Sequence, residues 1–124
     1  MSGFETIDID VGDVTLTVAV AETTQQRARG LMEVESLPRG MDGMLFDFGG
    51  AASASFHMRN TVIPLDIWWF EPGGRLIGLT TMTPCDAEPC ESYESPGEIG
   101  WALETPAGEI ALSAGAQLST GEKP

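Results

Sequence analysis

The chain has 124 residues and a mass of 13.2 kDa, the size of one compact domain, which excludes a two-domain organisation. With 42% hydrophobic and 20% charged residues, it carries enough apolar side chain to bury a core, so neither global disorder nor dependence on a disulfide framework is expected. Nineteen Asp and Glu face six Lys and Arg, a net charge of -13; no basic stripe can be drawn, and nucleic acid is not an expected partner.

Lys123 is the only lysine, and the carboxylates are scattered rather than blocked together, which describes a solvated acidic surface and not an acidic tail. The expectation is a surface adapted to high salt, because roughly molar salt shortens the screening length to about 3 Å and relieves self-repulsion. A moderately acidic domain with no special habitat is the alternative, and denaturation midpoints in dilute and molar KCl separate the two. The opening Met1-Ser2-Gly3-Phe4-Glu5 has no basic n-region or apolar h-region, and no run approaches the ~20 apolar residues of a membrane span. The chain as written is expected to be cytoplasmic, with an exported mature form as the alternative if its two cysteines pair.

Along the chain, Ile7, Ile9 and Val11 alternate with Asp8 and Asp10, and Val14, Leu16, Val18 and Val20 alternate with Thr15, Thr17 and Ala19. The Gly12-Asp13 pair between them predicts a two-residue hairpin turn that sets Val11 opposite Val14, Ile9 opposite Leu16 and Ile7 opposite Val18. Thr23 and Gln26 form a capping box that opens a short helix through Met32, weakened by Gly30. Met44 to Phe48 is a strand candidate, and Gly49 to Ser55 a small-residue loop. Phe56 to Phe70 is extended and aromatic, with Pro64 marking an edge, a bulge or a break. Arg75 to Met82 predicts a strand, and Pro84 to Pro96 a proline-rich loop. In the last clear strand Ile99, Trp101 and Leu103 alternate with Gly100, Ala102 and Glu104. A short helix over 109–114, a final strand near 116–118 and a frayed tail over 119–124 complete the reading. Six or seven short strands, one or two peripheral helices and no βαβ alternation predict a mainly β single domain over 1–124, a β-sandwich or partly closed barrel with its core at about 5–118.

The segment Phe56-His57-Met58-Arg59-Asn60-Thr61-Val62-Ile63-Pro64-Leu65-Asp66-Ile67-Trp68-Trp69-Phe70 resembles the signature of the family called domain of unknown function 192, small conserved prokaryotic proteins. The resemblance extends upstream through Arg27-Ala28-Arg29-Gly30-Leu31-Met32 and Gly43-Met44-Leu45-Phe46-Asp47-Phe48, and downstream through Pro84-Cys85, Pro89-Cys90, Ala102-Leu103-Glu104 and Ala107-Gly108. It implies a small β-rich fold with no established activity. His57, the only histidine of the chain, stands where the family more often carries an aromatic residue, commonly Trp. One histidine does not assemble a zinc or catalytic site, so a packing or surface role is expected.

Asp66 shares a strand face with Trp68 and Phe70, so a buried face there would demand donors for its carboxylate. Arg59, Asn60 and Thr61 lie near in sequence. They form either an anchoring network around the Pro64 kink or, with His57, Asp66 and Trp68, a polar-aromatic patch that binds a small ligand. Trp68, Trp69 and Trp101 would offer stacking surfaces to a carbohydrate if exposed. For Cys85 and Cys90, with four residues between them, disulfide, free thiols and a metal site all remain open, the disulfide being the working expectation. No phosphate-cradling glycine motif, nucleophile elbow or two-histidine zinc pattern is present, so no catalytic residue, cofactor or metal is assigned. Ser53 and Ser55 near His57, and the six methionines, make only weak hydrolase and copper readings. The expected function is a non-catalytic small-ligand binding or interaction module, with a hydrolase using Asp66 or His57 as general base as the alternative. Oligomeric state is not legible.

Overall fold

In the computed structural model of the chain, which describes residues 3–120, the predicted hairpin is the first element. Strands β1 (Glu5–Val11) and β2 (Val14–Ala21) pair antiparallel with Val11 opposite Val14, Ile9 opposite Leu16 and Ile7 opposite Val18. Gly12 makes the turn at φ 61°, a left-handed conformation that costs glycine little. Helix α1 (Thr24–Arg29) opens on the capping box, with Thr23 Oγ1 accepting from the Gln26 N–H and Gln26 Oε1 accepting from the Thr23 N–H. It stops at Gly30, short of the predicted Met32.

Strand β3 runs without interruption over Gly43–Phe56, where the sequence predicts a strand followed by a small-residue loop. Its ladder slips register between Asp47 and Ala52, and Gly49 and Gly50 adopt φ 71° and 151° there, so the glycines form a bulge inside a strand. After the loop at 57–64 come β4 (Leu65–Phe70), β5 (Leu76–Met82), β6 (Tyr93–Pro106) and β7 (Leu118–Ser119). Pro64 thus falls at a break between strands. No helix forms over 109–114; the chain there stays irregular, and Gly115 N–H and Ala116 C=O bond to Leu76 instead, at 3.0 and 2.9 Å. Of the predicted frayed tail, 121–124 lie outside the described residues, and Ser119 belongs to β7.

The sheet order is β5-β4-β6-β3-β2-β1-β7. All pairings are antiparallel except β2 with β3. That parallel pair, which the strand pattern does not announce, needs a long connection, and residues 22–42 supply it, carrying α1 across the sheet. β7 pairs with β1, while the segment just before it bridges to Arg75 and Leu76 beside β5, so the two ends of the sheet meet and the barrel closes along a short arc.

The central strands are buried on both faces. One face of the curled sheet packs Ile9, Val11, Leu16, Val18, Leu45, Trp68, Phe70, Leu76 and Leu103 together. The other packs Met44, Phe46, Leu65, Ile67, Trp69 and Ala102 under Leu31 of the crossover and Met58 of the 57–64 loop. β4 accordingly has no exposed position. Its two indoles are satisfied sideways, Trp68 Nε1 donating to Thr105 Oγ1 and Trp69 Nε1 to Thr80 Oγ1, each at 3.1 Å.

Asp66, 5% exposed, accepts from Thr81 Oγ1 at 2.6 Å and from the Gly108 N–H at 3.0 Å. It ties β4 to β5 and to the turn after β6. Asp66→Ala leaves the Gly108 donor without its partner and is expected to destabilise the fold by about 1 to 3 kcal/mol; an unchanged denaturant midpoint would contradict this anchoring role.

Candidate functional site

Alternation along β6 directs Trp101 and Leu103 into the curl of the sheet and sends Ala102 and Glu104 to the opposite face. That opposite face is not solvent. Glu104 stands across the ladder from Met44 on β3 and from Ile67 on β4, under the crossover, and is only 4% exposed. Its backbone is crowded as well: Gly43 opens β3 because a Cβ there would collide with the Glu104 carbonyl oxygen.

The Glu104 carboxyl makes no hydrogen bond or ion pair with any described residue. Stripped of water and given no partner, the ionised form is disfavoured, and burial pushes its pKa up to about 8. At neutral pH it is a carboxylic acid, able to donate as well as accept. Among the described residues it is the only titratable group displaced this far, and such a displacement in a cavity marks a candidate site.

Glu104 lines a cavity of about 260 Å³ between α1 and strands β3 and β6. Phe46, Phe48 and Phe56 form an aromatic wall, with Phe46 and Phe48 each edge-to-face with Phe56 at 5.1 and 6.4 Å and Phe56 against Trp69 at 5.6 Å. Opposite stands α1. Arg27 donates from Nη1 to the carbonyls of Glu22 and Asp47 at 2.7 and 3.0 Å, and its guanidinium lies 5.5 Å from the centre of the Phe48 ring. Two carbonyls and a ring thus fix its direction. Arg29 is exposed and reaches Glu33 at 3.6 Å. Leu31, Ala54, Ser55, His57 and Thr61 complete the lining.

The residues singled out from the sequence are distributed over several places. His57 and Thr61 line this cavity. His57 is exposed, its Nδ1 accepting the Arg59 N–H at 3.1 Å, and Thr61 is buried with its hydroxyl turned to the Arg59 carbonyl. Asn60 serves through its backbone: φ is 61°, and its carbonyl takes the Glu33 N–H at 2.7 Å, fastening the crossover to the 57–64 loop. Arg59 points to the surface and pairs with Glu88 through Nε at 2.6 Å, which holds the Glu88 carboxyl below the usual range. Asp66 is the anchor described above. Trp68 lies in the other core layer and lines a separate cavity of about 400 Å³ with Arg75, Leu79 and Leu112. Trp68 and Trp69, 5% and 2% exposed, offer no stacking face to a sugar. Cys85 and Cys90 are joined as a disulfide in the loop that carries Glu88. Ser55 Oγ is engaged with Ser92 and Glu94. Glu104 is the functional candidate that strand alternation alone passes over; the one acid in the run Ile99 to Leu103-Glu104 of a strand buried on both sides is the signal for it.

The chain belongs to the DUF192 family, described as "Uncharacterized ACR", which it matches over residues 6–120. Two solved structures are similar over nearly the whole fold. One, from Sinorhizobium meliloti 1021 and described as a candidate transcription regulator, has a TM-score of 0.83 at 25% identity and 96% coverage of both chains. The other, a protein of unknown function from Novosphingobium aromaticivorans DSM 12444, has a TM-score of 0.83 at 27% identity, covering 96% of this chain and 88% of that one. No curated protein matches. No helix among the described residues is long and apolar enough to cross a membrane.

The raised pKa has a signed consequence for stability. The unfolded chain loses the Glu104 proton near pH 4.3, while the folded chain keeps it up to about 8. Between those values the folded state binds more protons, so stability falls as pH rises through the window and levels off above it. Glu104→Gln removes this dependence. The stability of the variant relative to the parent is expected to rise by about 3.5 kcal/mol between pH 5 and pH 8 in urea titrations; curves that stay parallel would show that Glu104 ionises normally.

Proposed function

We propose that the protein is a non-catalytic binding module for a small organic ligand, and that the ligand occupies the cavity above Glu104. The observation that carries this reading is a buried carboxyl with no partner of its own that opens onto a preformed, aromatic-walled cavity. An orphaned polar group of this kind costs stability, and a fold with no use for it would gain by replacing it with an apolar residue. Occupied by a ligand that hydrogen-bonds to it, the same group confers specificity instead. At about 260 Å³ the cavity lies below the roughly 300–1,000 Å³ of sites for drug-sized molecules, which favours a small metabolite.

The hydrolase alternative draws less support. Asp66 is committed to Thr81 and Gly108, and His57 Nδ1 and Ser55 Oγ each have other partners. The transcription-regulator description belongs to the Sinorhizobium meliloti protein; a net charge of -13 argues against direct contact of this chain with DNA.

Ala28 is exposed on α1 at the mouth of the cavity, so Ala28→Trp blocks entry without touching the core. In saturation-transfer NMR against a panel of small metabolites, the parent protein is expected to bind at least one member at millimolar or tighter affinity, and the variant to lose that signal. A panel with no binder, or binders unaffected by Ala28→Trp, would overturn the reading.

A further inference from the structure

Two ionisable side chains without a charge partner face the same cavity. Glu104 has no basic partner, and the Arg27 guanidinium has no carboxylate within 4.0 Å among the described residues, in a chain with nineteen acids against six bases. Every other feature of Arg27 is arranged: Nη1 is held by two carbonyls and the plane lies near Phe48, while Nε and Nη2 make no hydrogen bond with a described residue. These two groups do not pair with each other.

Their separation follows from the strand between them. Glu104 is opposite Met44 on β3, and Arg27 is held at the Asp47 carbonyl three residues further along the same strand. Both groups line one cavity of about 260 Å³ from separate points, which fits a ligand that carries both charges on one small molecule. A simple cation would satisfy Glu104 and be repelled by Arg27. A simple anion would satisfy Arg27 but brings no positive charge against which Glu104 could ionise. The wall of Phe48 and Phe56 adds an apolar surface beside both.

We propose that the cavity takes a zwitterion of amino-acid size, its ammonium on Glu104, its carboxylate on Arg27 and an apolar side chain against Phe48 and Phe56. This rests on the reading of the cavity as a ligand site and names the class of ligand. When the ammonium arrives, the proton of Glu104 leaves to solvent and the carboxylate is compensated by the ligand.

The test is isothermal titration of the full chain with valine, leucine and phenylalanine, each beside its des-amino acid and its decarboxylated amine. At least one amino acid is expected to bind about tenfold or more tightly than both of its singly charged counterparts. Glu104→Gln should erase the advantage over the des-amino acid, and Arg27→Gln the advantage over the amine. A des-amino acid or an amine that matches its parent amino acid overturns the zwitterion while leaving the cavity a ligand site. The zwitterion is overturned in the same way if none of the amino acids binds but other members of the metabolite panel do. If nothing binds at all, the ligand site itself is lost.

Discussion

In its second half, from Trp101 on, strand β6 pairs with β3 on one edge and β4 on the other, and both of its faces are covered. Few constraints in a small β protein are harder to meet, because a side chain there is packed over in either direction. Trp101 and Leu103 fill the inside of the curl, and Ala102 the layer under the crossover. Glu104 takes its place in that second layer, and everything distinctive about the cavity descends from it: a carboxyl in an apolar layer must be neutral, paired or liganded. No described side chain pairs with it. The fold keeps it neutral, with a pKa pushed up to about 8.

The crossover makes that situation by covering the second face. A sheet with only one buried face would leave Glu104 in water and its titration ordinary. Because β2 and β3 run parallel, the chain between them must traverse the sheet, and it lays α1 and Leu31 over the strands, where Glu33 fastens it to the 57–64 loop that follows β3. The same passage brings Arg27 and Arg29 to the cavity, two of the six basic residues in a chain of net charge -13. Of these, Arg27 has no carboxylate partner among the described residues and is set beside the buried carboxyl and the aromatic wall.

Features governed by local rules are legible in the sequence. The hairpin register is one, because period-two alternation and a two-residue turn leave one solution. The capping box is another, because Thr23 and Gln26 satisfy each other. Features set by tertiary contact are hidden. Gly49 and Gly50 read as a loop because a bulge and a turn use the same residues. Residues 109–114 carry a helix-compatible pattern, yet the chain just beyond is claimed by Leu76 and the closure of the barrel. For the site, the aromatic neighbours of Asp66 make its burial a puzzle in the sequence; the answer, a backbone N–H from Gly108, lies far along the chain. Glu104, at the end of an alternating strand, reads as its polar face because nothing local shows that a second layer covers it.

In the ligand-free folded protein the Glu104 carboxyl stays protonated at neutral pH. Carbon-13 NMR of protein labelled at the glutamate side-chain carboxyls, titrated from pH 3 to pH 10 and assigned by the signal missing in Glu104→Gln, observes it directly. The expected result is one glutamate with a midpoint near 8, set apart from the rest at about 4 to 5. A Glu104 signal that titrates with the others would contradict it.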